Sequence, residues 1–253
     1  MIKKIALAAA LAATASFATW DKFPVLEAGK GQAKVGVGYD MQGDYSDLGM
    51  YVGARYSVIQ GLELGLAVPF RFYSDFDGND LEADGLGNIP LMVRYQFMPT
   101  MNAFVDVNLP FGDDSYNEEG AWAFHAGVQF SQKFGMIDLG TEAGLTITTE
   151  GDDEVSPPWN LNVGAEADFV LGGPVTPYVG LDMNMYLGEY THDGDELPGS
   201  DESGTLGIWL TLGVGYQINQ MISLDASFGL GFGEDYYGED TPMSIDVNAK
   251  FNF

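Results

Sequence analysis

Along most of this chain, apolar and polar residues alternate one for one. Leu62, Leu64, Leu66, Val68, Phe70 and Phe72 share one parity, and Ile222, Leu224, Ala226, Phe228, Leu230 and Phe232 repeat the arrangement. Near the end, Ile245, Val247, Ala249, Phe251 and Phe253 alternate with Ser244, Asp246, Asn248, Lys250 and Asn252. A period of two puts an apolar row on one face of a β-strand and a polar row on the other. Twelve strands are predicted on this basis, near 31–41, 48–58, 61–73, 86–97, 101–111, 121–131, 135–148, 159–171, 176–188, 205–218, 221–232 and 242–253.

The connections between them alternate in length. Short ones are 59–60, 98–100, 133–134, 172–174 and 219–220; long ones are 42–47, 74–85, 112–120, 150–158, 189–204 and 233–241. That rhythm is the signature of an up-and-down meander with tight periplasmic turns and longer outer loops. Aromatic residues of the apolar parity then cluster at strand ends. Tyr56, Tyr95, Phe97, Phe130, Phe169, Tyr216, Phe251 and Phe253 fall toward the short turns. Tyr39, Phe70, Phe72, Phe111, Trp122, Trp159 and Phe232 fall toward the long loops. Two such belts match the aromatic girdles of a barrel at the two faces of a membrane. The expected fold class is all-β: a transmembrane up-and-down antiparallel β-barrel of 12 strands in the outer membrane of a Gram-negative-type envelope.

The ends of the chain agree with export. Met1-Ile2-Lys3-Lys4 is a basic n-region, residues 5–13 are apolar but too few to span a bilayer, and Ser16-Phe17-Ala18 presents small residues for signal-peptide cleavage. The expected organisation is a signal peptide over 1–18 and one barrel domain over 19–253. The C-terminal strand, with Phe251 and Phe253, resembles the strand by which outer-membrane barrels are recognised for assembly. No run of eighteen apolar residues occurs, so a transmembrane helix is not expected. With no cysteine in the chain, the fold rests on hydrogen bonding and burial alone.

Formal charge is −27, which argues against nucleic acid as a partner. Of the 37 acidic residues, 25 lie in the six long loops, Asp113, Asp114, Asp152, Asp153, Asp193, Asp195 and Glu196 among them. Most serve solubility. Asp75, Asp77 and Asp80 have the flavour of a calcium loop without its spacing, so Ca²⁺ or Mg²⁺ bridging of loops and lipopolysaccharide phosphates is the chemistry to test there. No other cofactor is expected.

The remaining parity faces the lumen. It is rich in glycine, which suggests space, with Tyr51, Tyr73, Phe104, Tyr178, Tyr186 and Trp209 as candidate constrictions. The charges on this parity segregate. Lys34, Arg55, Arg71, Arg94 and Lys250 form a basic wall on strands that closure makes neighbours. Asp106, Asp138, Glu142, Glu166, Asp168, Asp182 and Asp225 form an acidic wall opposite. Such a transverse field orients dipolar solutes and disfavours apolar ones. Wall-to-wall salt bridges closing the lumen are the competing expectation, and the pattern does not fix whether residues 19–30 enter the bore.

Three stretches carry a family resemblance: Gly61–Phe72 (GLELGLAVPFRF), Gly85–Tyr95 (GLGNIPLMVRY) and Val107–Asp114 (VNLPFGDD). They resemble the meta-pathway phenol-degradation (transporter-like) family of bacterial outer-membrane proteins. The resemblance implies a barrel passing small molecules across the outer membrane and supplies no catalytic residue.

The primary expectation is therefore a non-enzymatic, porin-like channel for small hydrophilic or amphiphilic solutes. Its partners would be outer-membrane lipid, lipopolysaccharide and the barrel-assembly machinery. The alternative is a structural or adhesive barrel with acidic, cation-binding loops. An enzyme is disfavoured because only His125, facing inward, and His192, in the longest loop, are available as bases.

Overall fold

Alternation on this scale has one way to satisfy every backbone group without an exposed edge, which is to close on itself. The computed structural model describes residues 20–113, 120–151 and 154–253, and does so. The expected leader over 1–18, and Asp114, Asp152 and Asp153, lie outside the described residues. The barrel strands are β1 (Gly31–Gln42), β2 (Tyr45–Ile59), β3 (Leu62–Phe76), β4 (Ile89–Met98), β5 (Met101–Leu109) and β6 (Ala123–Phe134). They continue as β7 (Ile137–Thr148), β8 (Trp159–Phe169), β9 (Val175–Leu187), β10 (Leu206–Gln217), β11 (Ile222–Phe232) and β12 (Met243–Asn252). Each pairs antiparallel with its sequence neighbours, and β12 returns to β1 with Lys34 opposite Lys250 and Val37 opposite Val247. At that seam the Gly31 N–H donates to the Phe253 carbonyl at 2.8 Å and the Phe253 N–H to the Gly31 carbonyl at 2.9 Å.

The polarity of the molecule is inverted relative to a water-soluble domain. Val37, Val52, Leu66, Val93, Val105, Val128, Leu212 and Val247 are exposed, while Arg55, Glu63, Arg94, Asn102, His125, Gln129 and Glu142 are buried. Exposed valines and buried charges make sense only if the outside is lipid. Tyr56, Tyr95, Phe97, Tyr216 and Phe251 at one end, and Phe70, Phe72, Phe111, Trp122, Trp159 and Phe232 at the other, are exposed at the two rims. The chain is an outer-membrane barrel.

Two local features differ from the sequence expectation. The first outer connection is not a long loop over 42–47: β1 and β2 run on to a two-residue turn, Gly43-Asp44, with Gln42 facing Tyr45. Gly43 has φ 56°, a conformation suited to glycine at the head of a tight hairpin. The second is a bulge in β3, where Leu48 faces Tyr73 but Gly49 faces Arg71. One extra residue at Phe72-Tyr73 flips the parity beyond it. Tyr73 is therefore turned outward and exposed, and is not a lumenal constriction. Arg71 and Ser74 both remain buried.

Long outer connections carry little regular structure. A small sheet pairs Val155–Ser156 with Glu189–His192 and that with Asp195–Asp201. Between β11 and β12 the chain makes a single helical turn, α1 (Glu234–Tyr237), whose Tyr236 and Tyr237 are buried.

Several of the lumenal glycines do not leave open space. A Cβ at Gly213 would lie 2.0 Å from the Tyr178 ring, one at Gly36 2.4 Å from the Tyr51 ring, and one at Gly207 2.4 Å from the Tyr236 ring. Large neighbours occupy the room each glycine vacates. A Cβ at Gly127 would lie 2.1 Å from the Ala143 carbonyl oxygen, which belongs to the facing strand and cannot retreat without breaking the ladder. Gly127→Val should therefore leave most of the chain in the unfolded, heat-insensitive form on gels after refolding into detergent. Gly173→Ala, in open space at a periplasmic turn, should refold as the wild type does.

Candidate functional site

The lumen is a large surface from which the fold excludes lipid, so the site is built on its walls. Arg55 from β2 and Arg94 from β4 point into it, and the carboxylate of Glu63 from β3 sits between them. Glu63 Oε1 is 3.0 Å from Arg94 Nη1 and 3.4 Å from Arg55 Nη1. One carboxylate cannot neutralise two buried guanidiniums. The second comes from outside the barrel wall: Asp21, on the segment ahead of β1, places its oxygens 2.7 Å from Arg55 Nη2 and 3.2 Å from Arg94 Nη1.

This segment, residues 20–28, lies inside the barrel as a strap. Lys22 reaches the opposite wall, where its Nζ is 2.7 Å from Asp182 of β9. The Asp21 carbonyl accepts from Gln129 Nε2 at 3.0 Å, and the Phe23 carbonyl accepts from Asn102 Nδ2 at 3.1 Å and from Arg94 Nη2. The Leu26 N–H donates to Glu63 Oε2 at 2.9 Å. Trp20 donates through Nε1 to Gln32 Oε1 at 2.7 Å, and its ring lies under Lys34 and Arg55. The strap leaves the lumen where the Gly29 N–H bonds the Ser57 carbonyl at 2.8 Å and becomes β1. Its seat is cut by glycines: a Cβ at Gly140 would be 2.7 Å from the Lys22 carbonyl oxygen, and one at Gly53 2.8 Å from the Trp20 ring.

The expected basic wall is thus brought together in part. Arg55 and Arg94 share the strap. Lys34 stands over the rings of Trp20 and Tyr51, at 5.7 and 5.0 Å. Arg71 lies nearer the outer rim, 3.6 Å from Asp47, whose other contact is the Tyr45 hydroxyl at 2.6 Å. Lys250 faces Lys34 and Ser223 across the ladder.

On the acidic side, Glu142 accepts from Gln129 Nε2 at 2.6 Å and from Asn162 Nδ2 at 3.2 Å. Asp225 accepts from the Tyr178 hydroxyl and from Asn248 Nδ2, both at 3.1 Å. Asp106 approaches His125 Nδ1 at 3.8 Å, and His125 Nε2 meets Asn162 Oδ1 at 2.9 Å. Asp138 is paired at the periplasmic rim with Lys133, 3.0 Å away. Glu166 faces Gly140 and Gly180, and Asp168 faces Asp138 and Tyr178. From Asp106 through His125, Asn162, Glu142, Gln129 and Arg94 to Asp21, the polar contacts run wall to wall.

A second cluster sits at the outer mouth. Tyr236 stacks on Tyr186 at 4.6 Å, accepts from Asn160 Nδ2 at 2.8 Å, and meets Tyr237 edge-on at 4.8 Å. Trp209 tilts against Tyr237 at 6.1 Å. Gln42 Nε2 ties α1 down through the carbonyls of Tyr237 and of Asp240, the latter at 3.0 Å. Burial pushes both α1 phenols above their ordinary range. The turn itself depends on Gly233, at φ 127°, where a Cβ would lie 2.3 Å from the Leu206 carbonyl oxygen.

At the outer loops, Asp75 accepts from the Gly78 N–H at 2.9 Å and Asp80 from the Glu82 N–H at 2.8 Å, while Asp77 takes the left-handed turn position at φ 54°. Among the described residues no three His, Asp or Glu side chains converge to hold a metal ion. His192 is exposed on the rim sheet, opposite Val155 and Asp195. Sequence reasoning left open whether residues 19–30 enter the bore, and it missed the α1 tyrosines. Neither has a period-two pattern, and the signal for the strap was indirect: an Asp-Lys pair ahead of a barrel whose walls differ in sign.

The comparisons agree with this architecture. A family profile described as "Putative MetA-pathway of phenol degradation" matches residues 21–245. Among solved structures, the COG4313 outer membrane channel from Pseudomonas putida F1 aligns at a TM-score of 0.73 and 14% identity, over 93% of this chain and 100% of that one. The translocator domain of autotransporter NalP from Neisseria meningitidis aligns at 0.62 and 12% identity, over 99% and 98%. The NanC porin aligns at 0.54 and 8% identity, over 87% and 98%. At these identities the likeness is one of fold. No curated protein matches the sequence.

Arg94 is 2% exposed and holds Glu63, Gln129, Phe23 and Asp21 together. Arg94→Met would leave buried acceptors and a carboxylate without their counter-charge, and should cost about 3 kcal/mol or more in guanidinium unfolding from detergent micelles. Lys133→Met, which breaks only the exposed pair with Asp138, should cost less than about 1 kcal/mol.

Proposed function

The chain belongs to the MetA-pathway phenol-degradation family, and from that premise we propose that it is an outer-membrane channel passing small hydrophilic or amphiphilic solutes through a narrow, charge-segregated lumen. The observation that carries the reading is the interior itself. Arg55 and Arg94 stand on one side, and Glu142 and Asp182 on the other. A barrel that served only as an anchor gains nothing from burying unlike charges on opposite walls, because desolvating them costs energy that packed apolar residues would not. With the strap withdrawn, the Arg55–Arg94 side is short of one carboxylate and Asp182 of one cation, and the transverse field that results favours solutes that carry a dipole.

The amphiphilic part of the reading rests on Tyr186, Trp209, Tyr236 and Tyr237 at the outer mouth. Their faces and hydroxyls suit ring-bearing solutes with a polar edge. The mouth cluster and the strap both stand in the bore, at two levels, so movement of α1 and of residues 20–28 would widen the path.

The second reading, a structural or adhesive barrel, is favoured by the same pairing: Arg55 and Arg94 are both engaged with acids, and the strap ties wall to wall. Planar-bilayer recording separates the two. A channel should show discrete openings of small conductance, and Tyr236→Ala with Tyr237→Ala should raise open probability or conductance severalfold. Absence of openings in both proteins, at any voltage, removes the channel reading in favour of the structural one.

A further inference from the structure

The lumen treats the strap as it would treat a bound peptide. Its charges are met at two places: the Asp21 carboxylate between Arg55 and Arg94, and the Lys22 ammonium at Asp182. Its backbone is met at three: the Asp21 carbonyl by Gln129, the Phe23 carbonyl by Asn102 and Arg94, and the Leu26 N–H by Glu63. Donors face carbonyls, an acceptor faces the amide, and each side-chain charge faces its opposite. These residues come from β2, β3, β4, β5, β6 and β9, so the arrangement belongs to the folded wall and not to the strap.

A permanent brace would be held most cheaply by apolar packing, which buries no charge. Here the wall recedes instead. Gly140 and Gly164 remove side chains where Lys22 passes, since a Cβ at either would lie within 2.7 Å of a Lys22 atom. Contacts made through ion pairs and amides are ones that a soluble molecule of the same chemistry reproduces one for one.

We infer that residues 20–28 are a tethered stand-in for a solute, and that their seat is a binding site for short zwitterionic peptides. The carboxylate position lies at Arg55 and Arg94, the amide positions at Gln129 and Asn102, and the ammonium position at Asp182, with Glu166 on the neighbouring strand. The inference deepens the channel reading by naming a solute class, and rests on that reading for passage though not for binding. A strap attached by a few residues competes at an effective concentration in the range of about millimolar. An incoming peptide therefore binds with its intrinsic affinity reduced by the fraction of seats the strap leaves free.

The test is calorimetric titration of the full chain, folded in detergent, with the dipeptides Asp-Lys, Asp-Asp and Lys-Lys. Two variants unseat the strap by different routes. Asp21→Asn frees it from Arg55 and Arg94, Lys22→Gln frees it from Asp182, and neither touches the wall. Heat-modifiable mobility certifies that each is folded, and one variant serves if the other does not fold. Asp-Lys should bind either variant about tenfold or more tighter than it binds the wild type, and tighter by a similar factor than Asp-Asp or Lys-Lys. Folded variants that bind no dipeptide, or bind all three alike, overturn the inference. Selective binding in a barrel that never conducts keeps the site and removes the channel, whereas conduction without selective binding keeps the channel and removes the site.

Discussion

Lipid on the outside is the constraint from which the rest follows. Once Val37, Val52, Leu66, Val105 and Val247 are committed to hydrocarbon, every polar residue of the opposite parity is confined to an enclosed interior. There its access to solvent is restricted. Charges in that interior must find partners within reach across the bore, and this is what the Arg55–Glu63–Arg94 group lacks by one carboxylate and Asp182 by one cation. The Asp21-Lys22 pair supplies both. A soluble barrel of the same strand order would leave such groups to water and would need no strap.

Period-two alternation determines a face, and the face decides membrane or water, so the fold was readable wherever the period held. All twelve strands, the antiparallel order and the seam between β12 and β1 lie where alternation places them, with ends displaced by three residues at most. The reading failed where the period slipped. The extra residue at Phe72-Tyr73 reverses parity over the outer end of β3, and nothing in the composition of that segment marks a bulge. The Gly43-Asp44 turn was hidden because Tyr45 and Asp47 are polar enough to pass for loop, although their hydroxyl–carboxylate bond of 2.6 Å belongs to the lumen face.

The site was legible one wall at a time. Arg55, Arg94, Glu142 and Asp182 follow from parity, because a charged residue on the lumenal face has one direction to point. What parity cannot say is how deep each lies or what stands between them. The glycines were read as room, and they are, but the room is taken by Tyr51, Tyr178, His125, Tyr236 and Lys22. Small residues on one strand record large ones elsewhere, and the sequence does not state which. The strap and α1 carry no periodicity at all; each is a loop segment whose position is set by the wall it meets.

The strap also has a place in time. Its partners are spread from β2 to β9, so its seat does not exist until at least those eight strands stand in their final register. Contacts that join residues so distant in the chain carry a large loop-closure cost and form late. Seating therefore follows the assembly of those strands, and a strap that has found both Arg94 and Asp182 is a timestamp of a wall already built from β2 to β9.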